Sequence, residues 1–478
     1  MKLKKTTIRW LVIFFIALVG IFIFTKIQQG SLPEQIVKQV EFKKMLGLKG
    51  PSPEKLKSYR SVKGVLDIQH WVTAKGANVY FVQVPTLPMV DIEVLFNAGA
   101  SVEAKQGGTA YLTNALLSDG TKEWNADEIA RRFDSVGAQY SAQVERDMAV
   151  VRLRSLSDIK PLRYAFETLQ EILTHPNFPE SGFNREKMNA LSALKQQAQK
   201  PQQVASRLFY SLLYPNQPYS NWVLGDEASI NALTLAEIKA FYQKYYVAKN
   251  ATVVIVGDVK AEDADAIAQG LTNHLPEGQK PPALPQVAQI QQKTVKNVVF
   301  PSEQTHILMG MPGVKYNDPD YYALLVGNHI LGGNGSVTRL FNIVRNQQGL
   351  AYSVYSYFMP MREQGPFVLG CQTRNSQAAK SQGLIETILT DFVKQGPTEE
   401  ELLQAKKNLL GGFALHFDSN EAITNQVAKL GFYELPLDYF NQFKASVEKL
   451  TIKDIQQAFA KRINPEHLVI VTVGGKEG

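Results

Sequence analysis

LAEIKAFYQKYYVAKNATVVIVGDV, residues 235–259, and IKDIQQAFAKRINPEHLVIVTVGG, residues 452–475, carry one pattern twice. Each begins with apolar and aromatic side chains at helical spacing and continues as a run of β-branched residues that ends in glycine. A second shared element lies upstream of each: VDIEVLFNAGA, residues 90–100, and THILMGMPGV, residues 305–314, both read as alternating strands that run into a glycine turn. The opening glycines, Gly99 and Gly313, are 214 positions apart, and the closing ones, Gly257 and Gly474, are 217 apart. Offsets this similar over such a distance mark the duplication of one α/β unit.

Within a copy, strands and helices come in mixed order. DMAVVRLRSL, residues 147–156, alternates at period two, as a half-buried strand does. ADEIARRFDSVG, residues 126–137, has apolar positions three and four apart, with Asn125 placed to cap its start and Gly137 its end. Hairpin strands with helices packed on one face give an α+β sandwich and not a wound parallel sheet. The fold class expected is therefore α+β, with two homologous α/β sandwich domains. The halves are separated by LPEGQKPPALPQVAQIQQK, residues 275–293, whose four prolines and lack of periodicity read as a linker. This places the N-terminal unit at residues 61–274 and the C-terminal unit at 294–478, each larger than the usual domain of about 150 residues.

The chain has 478 residues, 45% hydrophobic and 20% charged, the balance of a globular protein. A net charge of +7 is modest, and four basic residues (Lys2, Lys4, Lys5, Arg9) precede the first apolar run. No basic stripe remains elsewhere, which argues against nucleic acid as a partner. The single cysteine, Cys371, excludes an intramolecular disulfide and any cysteine-based metal site, and reads as a small buried apolar side chain. Residues 10–25, WLVIFFIALVGIFIFT, are uninterrupted by charge. They are slightly short of the about 17–25 residues that span a bilayer, but Lys26 can snorkel and Ile27 extends the run. The expectation is a membrane anchor over residues 1–30, with the N-terminus cytoplasmic and the bulk of the chain on the far side. In a bacterium that means a single-pass inner-membrane protein facing the periplasm. The alternative is a cleaved leader and a soluble periplasmic protein, although Ile27-Gln28-Gln29-Gly30 makes a poor cleavage site. Residues 31–60 read as a stalk.

The stretch GTAYLTNALLSDGT, Gly108 to Thr121, resembles the zinc helix of the pitrilysin/insulinase family of peptidases, G-x-A-H-x-x-E-H-x-x-x-x-G-T. In that pattern two histidines one turn apart bind zinc, and the glutamate between them activates the metal-bound water. Gly108, Ala110, Leu112, Leu116, Gly120 and Thr121 keep the frame, whereas the three chemical positions hold Tyr111, Asn114 and Ala115. The family's third ligand, a glutamate on a later helix, aligns with MNALSALKQQ, with Ser192 and Ala193 at the corresponding place and Glu186 about two turns away. The seven histidines (70, 175, 274, 306, 329, 416 and 467) are scattered, with none three to five residues from another. The chain is thus identified as a non-catalytic type of this family, covering residues from about 60 to the C-terminus, with no metal site of its own. The resemblance implies the LuxS/processing-peptidase-like metallohydrolase fold for both units, the first with a degenerate zinc site.

The second half keeps a family motif. RLFNIVRNQQGLAYSVYSYF, residues 339–358, is similar to the segment in which an arginine and, seven residues later, a tyrosine hydrogen-bond the substrate near the scissile bond. Arg345 and Tyr352 take those places, where a guanidinium and a phenol could bind a peptide carbonyl and help stabilise an oxyanion. Alternatively, Arg345 caps a helix and Tyr352 packs on a strand. LGGNGSVTRLF, residues 331–341, resembles the family's glycine-rich substrate-handling loop, in which Gly332, Gly333 and Gly335 either admit a peptide backbone or form a mobile turn. Small family members divide labour between two chains, one with the zinc helix and one with the arginine and tyrosine. The resemblance therefore implies a non-catalytic, substrate-binding subunit of a heterodimeric zinc endopeptidase, inactive by itself. Its partner would be a sister chain with an intact His-x-x-Glu-His helix holding the zinc cofactor, and its substrate a peptide or unfolded segment. The competing reading is an inert peptide-binding or scaffold protein of the same fold.

Overall fold

The two β-branched runs that end in the closing glycines sit inside two mixed sheets. The computed structural model describes residues 52–103 and 107–475; the expected anchor, residues 31–51 of the stalk, residues 104–106 and residues 476–478 lie outside them. Among the described residues no helix is long and apolar enough to cross a membrane. The strands are β1 (Arg60–Val62), β2 (Ile68–Val72), β3 (Asn78–Gln83), β4 (Met89–Phe96), β5 (Gln139–Val144), β6 (Ala149–Leu156), β7 (Ala251–Gly257), β8 (Thr294–Val298), β9 (Ser302–Pro312), β10 (Ala351–Phe358), β11 (Pro366–Arg374) and β12 (Val469–Gly475). The first half forms a seven-stranded sheet in the order β1-β2-β3-β7-β4-β6-β5, and the second a five-stranded sheet in the order β10-β11-β9-β12-β8. β7 runs parallel to β3 and antiparallel to β4; β12 runs parallel to β8 and antiparallel to β9. Strands β3-β7-β4-β6-β5 thus repeat as β8-β12-β9-β11-β10, leaving β5 and β10 as equivalent free edges.

The helices of the first half are α1 (Thr109–Ala115), α2 (Ala126–Asp134), α3 (Ile159–Thr174), α4 (Glu180–Ala198), α5 (Pro201–Leu213), α6 (Glu227–Ala232), α7 (Leu235–Tyr245) and α8 (Ala261–Thr272). Those of the second are α9 (Tyr321–Asn328), α10 (Ala378–Gln395), α11 (Glu399–Gly412), α12 (Asn420–Phe432), α13 (Tyr439–Lys449) and α14 (Ile452–Arg462). Local sequence explains their ends. Asn125 accepts from the Glu128 N–H while Glu128 reaches back to the Asn125 N–H, a capping box that starts α2. The same reciprocal arrangement opens α7 at Thr234, α11 at Thr398 and α14 at Thr451. In each half one sheet face carries the main apolar core, with Ile92, Val94 and Leu153 under α1 and α3, and Met309, Phe367 and Leu369 under α9 and α10.

Helices do not stay on one face of each sheet. The halves exchange a helix. α5, from the first half, lays Phe209 and Leu213 on Leu308 and Val471 of the second sheet. α12, from the second, lays Ile423 and Val427 on Leu95 and Val254 of the first. On α12, Gly431 lets the helix approach closely, since a Cβ there would stand 2.7 Å from the Tyr80 ring. Both sheets are therefore covered on both sides, and β4, which reads V-D-I-E-V like a half-solvated strand, is buried from Val90 to Phe96. The physical reason is simple. Neither half can hide the second face of its sheet with its own helices, so each supplies the other's cover.

A polar rivet crosses the same boundary. Asp147, in the turn between β5 and β6, is 2% exposed. It accepts from Tyr219 Oη at 2.9 Å, from the Arg362 N–H at 2.8 Å and from Tyr433 Oη at 3.2 Å, the last two from the second half. Burial holds this carboxyl above the usual range, while its donors oppose the shift. The linker crosses nearby without helix or strand and is tied down by Val287 in the α5 core and by Lys280, 2.7 Å from Glu434. Truncating the exchanged helix should weaken both halves together. Phe209→Ala is expected to lower unfolding free energy by about 3–5 kcal/mol, with intrinsic fluorescence and circular dichroism moving in one transition during chemical denaturation.

Candidate functional site

The segment that resembles the zinc helix does fold as a helix, α1, followed by a tighter turn at Leu116–Ser118. Gly108 opens it with φ +91°, and a Cβ there would meet Ile230 Cδ1 at 2.5 Å, so only glycine fits. Glu103 caps its first turn, accepting from the Ala110 N–H at 2.7 Å and from the Gly108 N–H at 3.3 Å. Burial pushes the Glu103 carboxyl up to about 8, against the pull of those backbone N–H groups.

The three positions where zinc chemistry would sit are committed elsewhere. Asn114 is 1% exposed, and its amide donates to the carbonyls of Gln143 at 3.0 Å and Val150 at 3.3 Å, on β5 and β6. Its carbonyl oxygen accepts from Tyr246 Oη at 3.0 Å. That side chain is a tie between helix and sheet, not a base. Tyr111 is half-buried, and burial and the nearby Glu186 charge both raise its phenol above the ordinary range. Ala115 offers no donor. On α4, Ser192 is exposed and Ala193 half-buried, while Glu186 accepts from Asn189 Nδ2 at 3.2 Å and lies 3.5 Å from Arg185 Nε. A phenol, a methyl group and a spent carboxamide do not fit a zinc ion that takes imidazole, thiolate or carboxylate ligands. Among the described residues no group of three or more histidine, cysteine or acidic side chains is placed to hold a metal ion.

In the second half the structure brings Arg345 and Tyr352 together. Arg345 lies on a wide helical turn, Phe341–Gln347, and Tyr352 at the start of the edge strand β10. The guanidinium carbon stands 4.7 Å from the Tyr352 ring centre and 4.6 Å from that of Phe341, sandwiched between two aromatic faces. Tyr352 is 76% exposed, so it is not packed on the strand. Tyr352 is exposed at the sheet edge and Arg345 lies half-buried beside it. The segment expected as a glycine-rich loop is instead largely helical: Gly332 and Gly333 belong to a wide turn, His329–Gly333, continuing α9. A Cβ on Gly332 would lie 2.5 Å from Ser356 Oγ, and one on Gly333 2.5 Å from Asn328 Nδ2, so both are required for helix–strand packing. Gly335, at φ +51° with open space around it, marks the turn that follows.

Sequence reasoning missed three residues of these sites. Asn328 stands 214 positions after Asn114, the offset of the opening glycines, and plays the same part. Its amide donates to the Ser356 carbonyl at 3.2 Å, and its oxygen accepts from Ser356 Oγ at 2.7 Å. Applying the repeat offset to Asn114 would have found it. Glu103 and Asp147 carried no comparable signal, because isolated acids in a sequence say nothing about burial.

Replacing Asn114 by alanine should destabilise the chain by about 1–3 kcal/mol for each buried group left unpaired, read from urea denaturation. Glu103 sets a pH dependence. Because its folded value lies above the unfolded one, its contribution is fully present below about 4.5 and is lost as pH rises toward about 8. Thermal melts across that window should show stability falling with pH, with a shallower slope in Glu103→Gln.

Comparison with known proteins agrees with this geometry. The model of the insulinase family, peptidase family M16, matches residues 79–227, and that of the peptidase M16 inactive domain matches residues 232–409. The crystal structure of a peptidase M16 inactive domain from Pseudomonas fluorescens superposes with a TM-score of 0.84 at 37% identity, covering 86% of this chain and 99% of that one. The protein named non-peptidase homolog YmxG from Helicobacter pylori is 28% identical over 82% of this chain and 90% of its own length. The mitochondrial-processing peptidase subunit beta of Saccharomyces cerevisiae is 24% identical over 84% of this chain and 89% of its own. A duplicated sandwich, a zinc helix without its ligands and these likenesses lead to one conclusion: the chain belongs to peptidase family M16, the insulinase family.

Proposed function

We propose that this protein is the non-catalytic, substrate-binding subunit of a heterodimeric zinc endopeptidase of the bacterial envelope, held there by the apolar segment at residues 10–25. The observation that carries the reading is an imbalance within one chain. The first half has a zinc helix with no ligands, while the second half keeps Arg345 stacked on Tyr352, which is exposed at the start of β10. α1 holds Tyr111, Asn114 and Ala115 where the zinc ligands and base would stand, so the dyad would serve a metal held by another chain. A sister chain with an intact His-x-x-Glu-His helix would hold the zinc. Arg345 would bind the peptide carbonyl there and, with Tyr352, stabilise the charge that develops on its oxygen. The free edges β5 and β10 suit extended or unfolded segments, which can add as a further strand.

The second reading is an inert peptide-binding or scaffold protein. The full commitment of Asn114 to packing favours it, since nothing of the old chemistry survives at that position.

Trans-complementation separates the two. The full chain purified alone is expected to carry no stoichiometric zinc and to leave peptides uncut, and mixing with the sister chain should produce cleavage. In that mixture Arg345→Ala should lower kcat/KM about a hundredfold and Tyr352→Phe about tenfold. Zinc-dependent turnover by the chain alone, or full activity in both variants, would sink the proposal.

A further inference from the structure

The seven histidines are scattered along the sequence, but the fold brings two of them together. His175 follows α3 directly and His274 lies two positions past α8, and their ring centres stand 6.5 Å apart. The helix ends that carry them are held close. Gln170 Nε2 donates to the Gly270 carbonyl at 3.0 Å, and a Cβ on Gly270 would meet Phe166 Cζ at 2.5 Å, so α3 and α8 touch just before they end. Two helix C-termini meet at this place, and their partial negative charges favour a cation. Both histidines are exposed, His175 with 44% of its side chain open to solvent.

Hydrogen bonding fixes which nitrogen of His175 carries the proton. Thr174 Oγ1 donates its one hydroxyl proton to the Gln170 carbonyl at 2.7 Å, so toward His175 it can only accept. It lies 3.0 Å from Nδ1, and Glu171 Oε1 lies 3.1 Å from the same nitrogen. Two acceptors facing Nδ1 place the proton there and leave a lone pair on Nε2, at the other side of the ring. A carboxylate behind an imidazole is how proteins orient a metal-binding histidine and raise its basicity. The second oxygen of Glu171 is buried without a hydrogen-bond partner, so no other donor draws on that charge.

We infer that His175 and His274 form a two-histidine site for a divalent ion that favours imidazole, zinc or copper, with water completing its shell. Two imidazoles on one tetrahedral ion place their ring centres roughly 5 Å apart, which two exposed rings reach by turning about their side-chain bonds. The linker at 275–293 begins immediately after His274, so a bound ion fastens its start to the end of α3. The site is a clasp and lies apart from the zinc helix that lost its ligands. With two protein ligands the ion exchanges readily: the chain leaves a chelator wash without metal and binds it again when metal is added.

The test is isothermal titration calorimetry on the full chain in detergent, without an affinity tag, stripped with a chelator and titrated with zinc chloride. One saturable site per chain is expected, with copper binding tighter than zinc and magnesium not at all. His175→Ala and His274→Ala should each weaken zinc binding at least about tenfold, and Glu171→Gln about tenfold through loss of the orienting charge. Hydrogen exchange on the unsubstituted chain gives a second reading, in which zinc slows exchange at residues 273–277 about fivefold. Absence of a saturable site, or affinity that survives both histidine substitutions, overturns the inference. So does a loss confined to His175→Ala and Glu171→Gln, which would reduce the feature to an ion pair at a helix end.

Discussion

Neither sheet can bury its second face without the other half. α5 and α12 change places across the boundary, each carrying an apolar stripe to a sheet built by the other copy. Burying apolar surface is the dominant favourable term in folding, so this exchange makes two similar units one cooperative body. It also decides where charges can lie. Because α12 covers the first sheet, Asp91, Glu93 and Asp147 become interior groups that need partners, and the partners come from β6, from Tyr219 and from the second half.

The same logic explains what became of the zinc helix. α1 lies against β5 and β6 and is tied to their backbone by one polar side chain. With Asn114 in the position of the general base, the tie is made by an amide that uses both donors and its acceptor. Its repeat counterpart, Asn328, makes a similar tie to Ser356 in a half for which no zinc motif was read. The first half of this chain therefore has the second half's solution at that position: structural polarity in place of reactive polarity. The chemistry that remains is carried by charge and hydrogen bonding at exposed edges.

Arg345 and Tyr352 illustrate how a motif becomes a geometry. Seven residues apart, they are separated by the end of a wide helical turn and the glycine Gly349, whose φ of +59° reverses the chain. That reversal folds the guanidinium back over the phenol ring. The cation is then held by two aromatic faces while its N–H edges stay available, an arrangement suited to a peptide carbonyl.

Much of this was legible in the residues alone. Period-two and period-3.6 patterning, the cap at Asn125, the repeat offset and the loss of ligands at Tyr111, Asn114 and Ala115 all follow from local chemistry or from the matching frame. Such features depend on neighbours a few positions away, or on pattern that survives duplication. The helix exchange, the burial of β4 on both faces, the rivet at Asp147, the stacking of Arg345 on Tyr352 and the bare carboxylate oxygens of Asp91 and Glu93 were decided by tertiary structure. Each depends on which surface meets which across tens or hundreds of positions. Alternating charge on a strand reads as a solvent face in any sequence, and only the arrival of a helix from the other copy turns it into an interior.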